Sequence, residues 1–183
     1  METLARKALF TVVENNLPRG YLPSKIQDTV DYVKEWMLRV DKDPFQLVNV
    51  PNEIKTYEMC LKTVSVCGLA LQFVPDNLIT PEICMTAILG NQYALEHTPR
   101  RLKSYEMSLA AVSRGGYVFE FVPNELKTPD LCEIAVDLNP YAFLQVPDEL
   151  RTPEICLAAV SKYDYGFMLE FIPDELKTIE ICQ

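Results

Sequence analysis

From Val50 onward the chain repeats itself every 24 residues, and this period constrains the fold more than any other feature. In register, the first units open Val50-Pro51-Asn52-Glu53-Ile54-Lys55-Thr56 and Val74-Pro75-Asp76-Asn77-Leu78-Ile79-Thr80. The next two open Thr98-Pro99-Arg100-Arg101-Leu102-Lys103-Ser104 and Val122-Pro123-Asn124-Glu125-Leu126-Lys127-Thr128. Further openings fall at Val146 and, after a unit two residues longer, at Ile172. A short fixed period means one recurring supersecondary unit that buries its apolar face only against its neighbours. The expected fold is therefore all-α: a right-handed α-solenoid, a superhelix of 24-residue repeats. Residues 50–183 would hold five full repeats plus a partial sixth. Residues 1–49 would form an N-terminal helical cap that includes a degenerate half repeat.

Each unit carries its own helix signals. In Thr152-Pro153-Glu154-Ile155-Cys156, Thr152 is the N-cap, Pro153 suits the first helical position, and Glu154 complements the positive helix end. The same pattern recurs at Thr80-Pro81-Glu82 and Thr128-Pro129-Asp130, and with tyrosine at Thr56-Tyr57-Glu58 and Ser104-Tyr105-Glu106. Ile155, Ala159 and Val160 would face inward. Gly68, Gly90, Gly115-Gly116 and Asn139-Pro140 mark the helix ends. A short second helix follows, as in Tyr117-Val118-Phe119-Glu120-Phe121, and then a 3₁₀-like turn. Leu126 and Leu150 are read as interior. The extension Lys162 to Gly166 belongs at the corner between the two helices.

Toward the N-terminus, Glu2 to Asn15 reads as an amphipathic helix and Leu17 to Pro23 as a loop. Asp28 is expected to cap a second helix reaching about Asp41, and Asp43-Pro44-Phe45-Gln46-Leu47-Val48-Asn49 matches the second half of a repeat. At the other end Gln183 falls just inside the first helix of a sixth unit. That end is closed by the short piece itself, covered by a partner, or continued in a longer protein.

Five of the six cysteines (Cys60, Cys84, Cys132, Cys156 and Cys182) share one repeat column, where the third unit has Ser108. Equivalent positions on stacked helices lie roughly 8–10 Å apart, beyond disulfide reach, so these are read as small buried residues. With no Cys-x-x-Cys pair and one histidine, no metal site and no cofactor are expected. No apolar run is long enough to span a bilayer, and no secretory signal is evident, so a cytoplasmic location, or delivery into a host cytosol, is expected.

The motif Leu-Arg-Thr-Pro-Glu-Ile-Cys-Leu-Ala-Ala-Val, from Leu150 to Val160, with Gly116 to Pro123, resembles a bacterial and phage family of tandem 24-residue helical repeats, classed as a domain of unknown function. In period it is also similar to the leucine-rich variant repeats, which alternate an α-helix with a 3₁₀-helix. The resemblance spans residues 50–183. It implies the helical stack and suggests effector or accessory roles, but it brings no catalytic residues.

The net charge of −9 lies wholly in the repeats, because residues 1–49 carry seven acids and seven bases. Only the third unit is positive. Its Arg100, Arg101, Lys103 and Arg114, with His97 and Tyr105 close by, are the expected partner-binding residues, since arginine offers a rigid donor fork to carboxylate or phosphate. An exposed acidic ladder of Asp76, Asp148, Asp174, Glu125, Glu149 and Glu175 is expected along the turns, where solubility alone can explain it. The tyrosine column Tyr93, Tyr117 and Tyr141 is read as packing rather than as a binding surface. Direct nucleic-acid binding is disfavoured, because the array holds ten Lys and Arg against nineteen acids.

No Gly-x-Ser-x-Gly, phosphate-cradling loop or His-Glu-x-x-His is present, and no catalytic residue is assigned. The favoured function is non-enzymatic binding of another protein along the solenoid surface, as an effector or inhibitor. The alternatives are an acidic nucleic-acid mimic that inhibits a nucleic-acid-binding protein, and a cysteine-dependent enzyme using Cys67 and His97.

Overall fold

The structure, a computed structural model, describes residues 24–161, 166–178 and 181. Among these residues every regular element is helical, and none is a strand. Helix α1 (Ser24–Lys42) is followed by a 3₁₀ helix, Pro44–Asn49. The long helices α2 (Tyr57–Val66) and α3 (Pro81–Gly90) come next, then the short α4 (Ala94–His97). After it stand α5 (Tyr105–Val112), α6 (Pro129–Leu138) and α7 (Pro153–Ser161). Between the long helices run the 3₁₀ helices Gly68–Phe73, Gly116–Phe121 and Pro140–Gln145, with Gly166–Phe171 after α7. The short second helix of each unit is thus mostly 3₁₀ rather than α.

The long helices start where the sequence says they should. Thr56, Thr80, Ser104, Thr128 and Thr152 each accept a hydrogen bond from the amide three residues on, at 3.2–3.3 Å. Pro81, Pro129 and Pro153 open their helices, where no amide hydrogen is needed. Helices α2, α3, α5 and α6 each bury two adjacent pairs one turn apart, such as Leu131-Cys132 with Ala135-Val136. That i, i+1, i+4, i+5 stripe turns the cysteine column inward: Cys60, Cys84, Cys132 and Cys156 are fully buried, as is Ser108. In α7 the buried set is Ile155, Cys156 and Ala159, while Val160 is half-buried. Cys182 lies outside the described residues.

Long helix packs on the next long helix, and short helix on the next short helix, so contacts run between neighbours in chain order. One continuous core results, from Val40 to Ile181. The approach is closest at two corners. A Cβ placed on Gly68 would lie 2.2 Å from the Ala87 carbonyl oxygen, and one on Gly116 would lie 2.5 Å from that of Ala135. Only glycine lets the short-helix backbone reach the last turn of the next long helix at these points.

A basic column ties the layers together. Nζ of Lys55, Lys103 and Lys127 donates to the carbonyls of Phe73, Phe121 and Gln145 at 2.7–2.9 Å, each the last residue of a short helix. Helix-terminal carbonyls lack an intrahelical donor and carry partial negative charge, so a cation there is doubly suited. Lys127 also lies 4.9 Å from the Phe119 ring centroid, and the Arg151 guanidinium 4.9 Å from that of Phe143.

Two expectations change. Helix α1 begins at Ser24, so Asp28 sits within it and is not its cap; Ile26 continues the apolar period of Val30 and Val33, and nothing in that pattern stops at Asp28. Leu126 and Leu150, with Ile54, Leu78, Leu102 and Leu176, are half-buried at the rim of the core rather than interior. Fully buried large side chains sit instead in the short helices, at Leu71, Leu95, Phe119 and Phe143, and on the long helices, at Ile83, Ile88 and Leu131. The expected helix Glu2 to Asn15, the loop Leu17 to Pro23 and residues 162–165 of the fifth-unit extension lie outside the described residues.

Phe119→Ala should cost roughly 3–5 kcal/mol, the range for a buried aromatic truncated to a cavity. Gly116→Ala should cost about 1–3 kcal/mol through the backbone clash, and Leu126→Ala clearly less than Phe119→Ala. Urea unfolding followed by circular dichroism reads all three.

Candidate interaction surface

The short helices decide which side chains reach solvent. A 3₁₀ helix has three residues per turn, so its first and fourth positions lie one above the other on one edge. In Tyr117-Val118-Phe119-Glu120, Val118 and Phe119 are fully buried while Tyr117 and Glu120 are exposed. The same pattern holds for Tyr93-Ala94-Leu95-Glu96 and Tyr141-Ala142-Phe143-Leu144. Tyr93, Tyr117 and Tyr141 expose 41%, 64% and 44% of their surface, and Phe45 in the same column 46%. The tyrosine column is therefore an exposed aromatic row, not core packing. In sequence its five-residue segments show an apolar alternation, which hides a period of three.

The fourth column brings Gln72, Glu96, Glu120 and Glu170 to the same edge, with Val48 and Leu144, all exposed. In the fifth column Phe73, His97 and Phe121 are half-buried while Asn49, Gln145 and Phe171 are exposed, and Phe45 meets Phe73 edge-on with centroids 6.2 Å apart.

The basic residues expected to bind a partner are not assembled into one free cluster. Arg100 grips Glu125 of the next unit through both guanidinium and carboxylate forks, at 2.9–3.1 Å. Arg114 reaches back to the Leu89 carbonyl of the preceding unit. Lys103 is spent on the Phe121 carbonyl, and burial lowers its pKa, with Arg100 adding to the effect. Tyr105 is half-buried against the core. Arg101 is exposed, and His97 lies in the short-helix row beside Tyr93 and Glu96. What the sequence reads as a contact site is largely the cement between the third unit and its neighbours.

The turn acids are exposed, but several are engaged within the chain. Glu125 has its carboxyl pKa lowered by its own backbone amide and by Arg100; Asp174 is held low by Lys177 at 2.6 Å, and Asp148 pairs with Arg151 at 2.8 Å. On the long-helix side, Ser113, Glu133, Ile134, Asp137, Leu138 and Ala158 line a shallow groove of about 500 Å³.

Burial pushes the Cys60 and Cys132 thiols up to about 11, and those of Cys84 and Cys156 upward as well. Cys67 is half-buried at the start of the Gly68–Phe73 helix, and no hydrogen bond joins it to His97. Among the described residues no group of three or more His, Cys, Asp or Glu side chains could hold a metal ion, and no helix is long and apolar enough to cross a membrane.

Two outcomes check this geometry. Lys103→Met should lower the melting temperature while Arg101→Met leaves it nearly unchanged, because only Lys103 satisfies a helix-terminal carbonyl. Iodoacetamide at about pH 8 should modify Cys67 well before Cys60, Cys84, Cys132 or Cys156, which should react only on unfolding; peptide mapping reads the sites.

Comparison with known families matches the repeats and nothing wider. The family model described as a domain of unknown function, DUF4116, matches three overlapping times, at residues 80–127, 104–151 and 128–177. The first two matches are each 48 residues long, or two 24-residue units, and successive matches are offset by one unit. No curated protein and no solved structure matches the chain. The three matches together run from residue 80 to 177, more than half of the sequence, and the chain accordingly belongs to the DUF4116 family of tandem helical repeats.

Proposed function

We propose that this protein is a non-enzymatic scaffold that binds another protein along the exposed edge of its short-helix row. The observation that carries the reading is the aromatic column of Phe45, Tyr93, Tyr117 and Tyr141. Aromatic side chains offer large contact area with few rotatable bonds, and tyrosine is enriched at the energetic centres of interfaces. A stack whose inner columns are uniform can present such a row over several units without disturbing its core. An effector or inhibitor acting in the cytoplasm, or in a host cytosol after delivery, fits this role.

The acidic-mimic reading draws on the exposed Asp76, Glu149 and Glu175. It is the weaker of the two, because Glu125, Asp148 and Asp174 already pair with bases of the chain itself. Binding that depends on the turn acids and falls steeply with salt would favour it.

The test is affinity capture from the native cell with the full chain and its Tyr117→Ser/Tyr141→Ser variant. The variant should keep its helicity and melting temperature while recovering about tenfold less of the specific partner. Undiminished recovery would remove the row as the binding surface.

A further inference from the structure

We propose that the occupant of the short-helix row is an extended cationic segment of a partner protein, with Lys or Arg at about every third residue. This rests on the reading of that row as a docking surface, and it names the chemistry that the surface selects.

The i, i+3 spacing sets Tyr93 with Glu96, at the start of α4, and Tyr117 with Glu120, in a 3₁₀ helix, on one exposed edge. Each pair offers an aromatic face and a carboxylate together. A guanidinium or ammonium group can lie over the ring and reach the acid at the same time. The chain already uses this combination internally. In α1 the Arg39 guanidinium sits 4.9 Å from the Trp36 ring centroid and bonds to Glu35.

Charge selects the occupant further. Glu120 and Glu170 form no ion pair with another described residue, and Glu96 exerts only an electrostatic pull on Lys103. The repeats carry the entire net charge of −9, and of the bases in the one positive unit, the third, Arg100, Lys103 and Arg114 are already bonded within the chain. A phosphate backbone or an acidic peptide would be repelled. An uncharged apolar segment would leave the carboxylates buried without partners.

Spacing supplies the register. Stacked units repeat at roughly 8–10 Å, and a polyproline-II segment has three residues per turn with a rise of about 3.1 Å per residue. Every third side chain of such a segment falls on one face and therefore meets the next Tyr–Glu pair. At the fourth unit Tyr141 is followed by Leu144 in place of the acid, and a notch of about 290 Å³ lies beside Leu144, its lining including both Lys127 and Asp148 as well as Asn124 and Gln145. The segment should thus change there from a cation to a polar or mixed side chain.

The experiment uses the full chain and two fluorescein-labelled peptides of equal composition, each of roughly 15 residues. One carries arginine at every third position, and the other has its arginines clustered at one end. Anisotropy at about 0.1 M salt should show the spaced peptide binding about tenfold tighter. Tyr93→Leu/Tyr117→Leu should lose about tenfold, whereas Tyr93→Phe/Tyr117→Phe, which keeps the rings, should lose no more than about twofold. Glu96→Gln/Glu120→Gln should weaken binding, while Asp76→Asn/Glu149→Gln, the same charge change on the turns, should not. Equal affinity for both peptides, or equal losses from row and turn variants, would overturn the proposal in favour of diffuse attraction. If the tyrosine variant loses its native partner in the capture assay but the spaced peptide does not bind, the cationic class is wrong and the surface stands. If capture also survives the variant, both readings fall.

Discussion

At Gly68 and Gly116 the backbone of one unit rests on the last carbonyls of the next unit's long helix, and the geometry of the stack follows from that approach. The partner corners in the second and fourth units carry asparagine. Asn91 and Asn139 each accept a hydrogen bond from the amide two residues on, which starts the short helix without a glycine. Glycine corners therefore alternate with asparagine corners. This gives the 24-residue sequence period a structural period of two units, the same length as the family model's matches. A unit with neither neighbour would expose both its glycine backbone and its apolar stripe, so no unit is stable alone.

The short-helix row is where packing and presentation meet. Its second and third positions fill the core with side chains such as Val118 and Phe119, which leaves its first and fourth for solvent. Its last carbonyl is satisfied from below by the basic column of Lys55, Lys103 and Lys127. With inner positions and terminus both fixed, the outer edge is a rigid row of side chains at the spacing of the units. Aromatic side chains with few rotatable bonds lose little conformational freedom when a partner arrives, which is the physical advantage of building a recognition surface this way.

That division also explains the third unit's positive charge. Arg100 bonds forward to Glu125, Lys103 to the end of its own short helix, and Arg114 backward to the Leu89 carbonyl. A base that closes a gap between layers is doing structural work even when it stands at the surface. Charge counted along the sequence therefore overstated how much of it is available to a partner.

The sequence alone determined the period, the all-helical class, the N-caps, the proline starts and the inward cysteine column, because each depends on neighbours within one or two turns. The exposed aromatic row was not legible in it. A five-residue run such as Tyr117 to Phe121 is compatible with strand, α-helix or 3₁₀ helix, and each would turn a different set of side chains outward. Only the packed neighbours chose between them: Val118 and Phe119 are buried together, and that choice carried Tyr117 and Glu120 to the outside. The fates of Arg100, Lys103 and Arg114 were likewise decided in space. Their partners are 18 to 25 residues away in the chain; Arg100 and Arg114 reach theirs only across stacked units, and Lys103 only once its own unit has folded.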